Sequence, residues 1–201
     1  MRIGSRLMIT VIMFMMTLAP VATRGAVLEH NQYPKLANIF FRWDITASEA
    51  QQLAKWDVLI IDMDVQTYTP DRLREIKKLN PNIKLIAYLA SQEIRGDSGT
   101  LSGTLRQKLY NQIDPSWWLK DASGNRVSWW PGNPIVNVTS DAPTVNSQRW
   151  SDVLSGFIKK NLMDTGLWDG VFLDNAWDNL SFLQNKYSVD ANCDKSAEPI
   201  A

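Results

Sequence analysis

Three largely apolar runs constrain this chain more than any other feature of it. Asp57–Asp64 reads DVLIIDMD, Ile83–Ala90 reads IKLIAYLA and Gly170–Asn175 reads GVFLDN. A strand with one wet face alternates apolar and polar residues. A continuous run instead implies burial on both faces, as in a parallel sheet covered by helices. Leu36–Trp43 (LANIFFRW) reads as an earlier strand and Ile135–Val138 as a short later one, which makes five.

The segments between them have helical spacing. Ser48–Trp56 reads as a short amphipathic helix with Ser48 or Thr46 as its N-cap. Thr69-Pro70-Asp71 opens another: a cap residue, a proline in the first turn, and an acid at the positive end of the dipole. Asn80-Pro81-Asn82 stops it. Leu101–Ile113 is a further helical segment. Ser147–Leu162 aligns Trp150, Val153, Leu154, Phe157 and Ile158 on one face, and Asp164-Thr165-Gly166 ends it.

Strands alternating with helices imply right-handed crossovers and a parallel sheet, either an open doubly wound sheet or a (β/α) barrel. No GxGxxG or GxxxxGK[ST] follows any strand. Acids and amides at the C-terminal ends of the strands favour the barrel, whose active sites lie there. The expected fold is therefore α/β, of the (β/α)8 TIM-barrel type, shortened to about five βα units because a full barrel takes about 250 residues. A truncated gene is the expected cause. A partial barrel leaves two open sheet edges and an exposed core face. The expected organisation is a signal peptide at 1–26, a partial barrel at 27–187 and a polar tail at 188–201.

Arg2 and Arg6 precede an apolar run from Leu7 to Leu18, followed by Pro20 and small residues. About a dozen apolar residues are too few to span a bilayer but suit a signal-peptide core. Ala22 and Ala26 are the candidate cleavage points. The expected location is secreted or periplasmic, with no stable membrane insertion after cleavage; the alternative is an uncleaved N-terminal anchor. Lys plus Arg and Asp plus Glu balance at 21 each, so no field points to nucleic acid. Cys193 is the single cysteine and His30 the single histidine. That excludes an internal disulfide and argues against a Cys–His nucleophile. No cofactor and no metal are expected.

The candidate chemistry is carboxylate chemistry. Asp174 ends an apolar strand, where it either projects into a barrel mouth or caps the next turn. Glu93 follows the Tyr88-Leu89-Ala90-Ser91-Gln92 strand end, as a functional acid or as a helix N-terminal one. Asp62 and Asp64, two apart, point to one side of a strand. They line a site, hold a hard cation, or pair with Arg42 or Arg95. Arg42 and Trp43 at the first strand end, with Tyr88, Asn137 and Asn175, are candidate substrate contacts. The nine tryptophans are unusual. In the long Asp114–Asn133 loop, WWLKDASGNRVSWW reads as a hairpin turning at Ser123-Gly124-Asn125. Of Trp117 and Trp118, and of Trp129 and Trp130, one ring of each pair is expected to stack on sugar and the other to fill the loop's core. Asn137-Val138-Thr139 and Asn179-Leu180-Ser181 match the N-glycosylation sequon.

Taken together, YPKLANIFFRWDIT, DVLIIDMD, IKLIAYLASQE, the WWLKD…NPIVNVTS loop and DGVFLDNAWD resemble glycosyl-hydrolase-like family fifteen. More distantly, they are similar to endo-α-1,4-polygalactosaminidase-like barrels. The resemblance covers most of residues 33 to 180, and DGVFLDN and YLASQE are its most specific pieces. It implies a secreted (β/α)8 glycoside hydrolase acting on O-glycosidic bonds of a polysaccharide or glycoconjugate. It carries over Asp174 and Glu93 as the strand-end carboxylates. The chain departs from the family by ending early, where a catalytic acid of its relatives could lie.

On the leading reading, Asp174 is nucleophile or general base and Glu93 is the general acid in a drier pocket. A carboxyl separation of about 5 Å would mean retention of configuration, and about 6.5–9.5 Å inversion. The rivals are a non-catalytic carbohydrate-binding barrel or inactive fragment that relies on the Trp loop, and a metal-dependent hydrolase centred on Asp62, Asp64 and Asp174. The second rival lacks a histidine and a metal-ligand spacing.

Overall fold

A computed structural model describes residues 33–179, 181–183 and 186–198. The signal-peptide expectation, His30 and the second sequon's Leu180 fall outside them. Among the described residues the chain runs β1 (Ala37–Phe40), α1 (Ala47–Leu53), β2 (Val58–Asp62), α2 (Val65–Tyr68), α3 (Pro70–Leu79), β3 (Lys84–Ala90), α4 (Leu105–Tyr110), β4 (Lys120–Asp121), α5 (Trp150–Asn161), β5 (Gly170–Asp174) and β6 (Val189–Asp190).

The local signals act as their chemistry dictates. Thr46, not Ser48, caps α1: its hydroxyl accepts from the Glu49 N–H, and Glu49 accepts from the Thr46 N–H at 2.8 Å. Pro70 sits in the first turn of α3, but Thr69 does not cap it; the Thr69 hydroxyl instead accepts from the Ile45 N–H. Asn80 ends α3 and donates its side-chain amide to the Ala54 and Trp56 carbonyls, which ties α3 to the end of α1.

β1, β2, β3 and β5 form a parallel sheet in that spatial order. Its register sets Asp62 beside Tyr88 and Ala90 beside Asp174. The order is sequential, without the reversal that makes the switch point of a doubly wound sheet. The structure therefore corrects the strand count. Ile135–Val138 stays out of this sheet and forms single antiparallel bridges, Ile135 with Glu93 and Val136 with Trp118. Its backbone partners are loops, so it builds no ladder.

Burial on the sheet also differs from the expectation. Leu59, Ile61, Leu85, Ala87 and Leu89 are buried in one core with Leu53, Leu73, Ile76, Trp150, Leu154 and Phe157 from the helices. The alternate positions Ile60, Ile86 and Tyr88 are only half-buried, and Ile39, Phe41 and Phe172 are exposed. The runs are apolar on both faces; the helices cover one.

The Trp-rich loop forms the expected hairpin. Gly124 adopts a positive φ of 85°, and the Val127 N–H donates to the Leu119 carbonyl at 2.9 Å. The segment expected to be a polar tail contributes β6, which pairs antiparallel with β4. Val189 and Ala191 join Leu119, Val127, Ile135 and Leu183 in a second small core. Two apolar residues in a polar stretch were enough, because the hairpin supplies the rest of that core.

Gly96 marks a close approach of two loops: a Cβ there would stand 2.1 Å from the Gly132 carbonyl oxygen. Backbone on both sides leaves nothing flexible to yield. Gly96→Ala is expected to destabilise the fold by about 1–3 kcal/mol, read as a lowered Tm in a thermal melt. An unchanged Tm would mean that the two loops separate freely.

Candidate active site

The last residues of β3 and β5 lie side by side and present their side chains to one pocket. Tyr88 is held between Phe41, edge-on at 4.8 Å, and Phe172, stacked at 6.0 Å. Its hydroxyl donates to Asp174 Oδ2 at 2.6 Å. The Asp174 backbone is fixed as well, since its carbonyl accepts from the Ser91 N–H and hydroxyl at 2.9 and 3.0 Å. Asn175 then turns into the left-handed region at φ 56°. Its N–H donates to Asp174 Oδ1 at 2.9 Å.

Glu93 is 5% exposed. Asn133 donates to its Oε1 at 2.7 Å and Asn175 to its Oε2 at 2.8 Å. The Glu93–Ile135 bridge and the Ile94 N–H to Pro134 carbonyl bond fix its backbone. Burial pushes the Glu93 carboxyl above its ordinary value; the Asn133 hydrogen bond opposes this and the charge of Asp174 adds to it. Burial and the hydrogen bond to Asp174 likewise push the Tyr88 hydroxyl well up, so it stays a donor at neutral pH.

Tyr88, Glu93, Arg95, Arg106, Trp130 and Asp174 line a pocket of about 280 Å³, with Asn133 and Asn175 in its wall. Trp130 is 56% exposed at the rim, and Trp129 meets it edge-on at 6.0 Å while packing on the second core. The two rings of that pair thus differ in exposure. Trp117 and Trp118 do not: both are buried in the main core, so neither offers a face to a ligand. Arg126 covers the Trp118 ring at 4.4 Å, and Trp117 Nε1–H donates to the Pro143 carbonyl.

Asp62 and Asp64 sit beneath the pocket rather than in its wall. β2 ends at Asp62, and Asp64 lies at the N-terminus of α2, so the two do not share a strand. Arg106, from α4, donates from Nη2 to Asp62 Oδ2 at 2.5 Å and places Nε 3.4 Å from Asp64 Oδ2. Asp64 Oδ1 accepts from the Leu105 N–H at 2.7 Å, in the first turn of α4. Burial pushes the Asp64 carboxyl up; Arg106 opposes and Asp62 adds to the rise. The partner is thus Arg106, not Arg42 or Arg95. Arg42 instead pairs with Glu49 at 2.6 Å and with Asp44, beside the α1 cap. Trp43 stacks on Tyr68, with Arg95 and Arg106 at 5.7 and 5.5 Å from its ring centre.

Asn137 is also away from the pocket. It is 1% exposed, donates to the Ala191 carbonyl and accepts from the Thr139 N–H and hydroxyl. This removes it as a substrate contact and closes that sequon in the folded chain. Arg106 and Asn133 went unread in the sequence. Arg106 is one charge within a helical segment. Asn133 had a weak signal, an amide between Gly132 and Pro134 in a long loop.

Among the described residues, no three His, Cys, Asp or Glu side chains form a metal-ligand group, and no helix is long and apolar enough to cross a membrane. No curated protein matches the chain. A family model does: the one described as hypothetical glycosyl hydrolase family 15 matches residues 77–200. The matched stretch holds the pocket residues from Tyr88 to Asn175 and leaves out β1, β2 and the Asp62–Asp64 turn. The match spans more than half of the 201 residues, so the chain belongs to hypothetical glycosyl hydrolase family 15.

Proposed function

We propose that this protein hydrolyses O-glycosidic bonds of a polysaccharide or glycoconjugate, with Glu93 as general acid and Asp174 as nucleophile or general base. The observation that carries the reading is one pocket with two carboxyl groups in unlike settings. Glu93 is buried and its carboxyl is pushed above its ordinary value, which favours the protonated acid more than in an exposed glutamate. Asp174 accepts hydrogen bonds from Tyr88 and from the Asn175 N–H. A proton from Glu93 would pass to the leaving oxygen while Asp174 attacks the anomeric carbon or takes a proton from water. Each Glu93 oxygen keeps a second lone pair beside its amide partner, where the proton can sit. The Trp130 face suits the apolar side of a sugar ring.

The sequential parallel strands support reading the sheet as an arc of a (β/α) barrel, with the pocket at the C-terminal ends of its strands. Residues 1–26 are read as a secretory leader, which places the substrate outside the cytoplasm.

The test is reducing-end release by the full chain from a panel of plant, fungal and bacterial polysaccharides, between pH 4 and 9. The rate should fall as pH rises through the raised Glu93 value, because only protonated Glu93 donates. Glu93→Gln should lose about 10²- to 10⁴-fold in kcat and lose that limb of the profile. A Glu93→Gln rate equal to wild type on every polysaccharide hydrolysed would remove Glu93 from the chemistry.

A further inference from the structure

Asn175 was expected to touch substrate, yet its hydrogen bonds run to the two carboxylates. The backbone N–H goes to Asp174 Oδ1 at 2.9 Å, and the side-chain Nδ2 goes to Glu93 Oε2 at 2.8 Å, across 82 positions of sequence. We propose that Asn175 is a positioning residue that fixes both carboxylates at once, so that the end of β5 sets their mutual geometry. This rests on the glycosidase reading for its meaning in catalysis, but not for its geometry.

The residue type fits the task. At φ 56° most side chains are strained, whereas asparagine enters the left-handed region several-fold more readily. That turn folds the Asn175 N–H back onto the preceding carboxylate and sends the short amide sideways to β3's continuation. A longer amide would overshoot, and a residue without an amide could hold Asp174 alone. Asn133 anchors the other Glu93 oxygen from the opposite loop. Glu93 is thereby clamped between an element that carries Asp174 and one that does not. The charged and titratable groups around it are Asp174 on β5, Tyr88 on β3, Arg95 on its own segment, and Arg106 and Tyr110 on α4. Arg95 is paired with Asp97, and Arg106 with Asp62 and Asp64. The amide clamp is thus what a single substitution can change without altering that charge set.

Two variants separate this role from the others. Asn175→Gly keeps the left-handed turn and the N–H to Asp174 but deletes the amide. Asn175→Asp keeps the shape, loses the donor and adds a charge beside Glu93. The carboxyl carbon of Glu93 is followed by ¹³C NMR through a pH titration of the full chain. A hydrogen bond to the ionised form favours that form, so its loss should tighten proton binding at Glu93 about tenfold in Asn175→Gly and further in Asn175→Asp. An unmoved Glu93 midpoint in either folded variant overturns the proposal. On any polysaccharide that the wild type hydrolyses, Asn175→Gly should lower kcat about tenfold with KM nearly unchanged. A raised KM with kcat kept would instead make Asn175 a substrate contact and overturn the positioning role. If the protein releases no sugar at all, the glycosidase reading fails while the titration still decides the clamp.

Discussion

Asp174→Asn is expected to abolish sugar release while the protein still melts cooperatively near the wild-type temperature. The substitution keeps shape and volume. The amide oxygen can still accept from the Asn175 N–H, and the Tyr88 hydroxyl, 2.6 Å from Oδ2 in the native site, can turn to accept from the amide nitrogen. Asp174 is half-buried at the pocket wall, and its backbone stays fixed by Ser91 and by the register with Ala90. What disappears is the negative oxygen that would attack or accept a proton. General-base work contributes about 10²- to 10⁴-fold, and loss of a nucleophile costs at least as much. The measurement is kcat on the best polysaccharide, beside a near-UV circular dichroism melt of the same sample. Wild-type turnover in a folded Asp174→Asn protein would end the carboxylate-pair mechanism.

The second large effect lies beneath the pocket. Arg106→Ala should destabilise the fold by about 3–5 kcal/mol, because it strands two buried carboxylates. Asp62 and Asp64 are 4% and 0% exposed, and Arg106 faces both. Arg106→Lys should recover only part of the loss, since an ammonium cannot span both carboxylates as a planar fork does.

The pH dependence has a definite sign. The Asp64 carboxyl titrates above its ordinary 3.8 in the fold. Stability from its protonated form is therefore complete below 3.8 and is lost as pH rises through the folded value. Removing Arg106 pushes that value further up. The penalty of Arg106→Ala should be full at pH 7 and shrink as the solution is acidified towards pH 5. Urea unfolding at the two pH values reads this directly. A loss under about 1 kcal/mol at pH 7 would mean that water reaches the pair and screens it.

The sequence by itself determined everything that nearest neighbours along the chain decide. Apolar runs made β2, β3 and β5. The Thr46–Glu49 box, Pro70 and Asn80 set the helix ends, and Gly124 turned the hairpin. Asp174 and Glu93 were legible as pocket carboxyls because a parallel strand of known direction fixes which end carries the site. The partners were not legible. Asp64 finds Arg106 across 42 positions, and Glu93 finds Asn133 and Asn175 across 40 and 82. Asn137 reads like Asn175 in the sequence, yet it closes onto Ala191 inside the second core. Trp117 and Trp118 read like Trp129 and Trp130, yet they are buried. Local spacing encodes backbone conformation within a few residues. Which polar atoms meet, and which apolar faces stay open, follows from the register of strands and the path of loops, and only the packed chain fixes those.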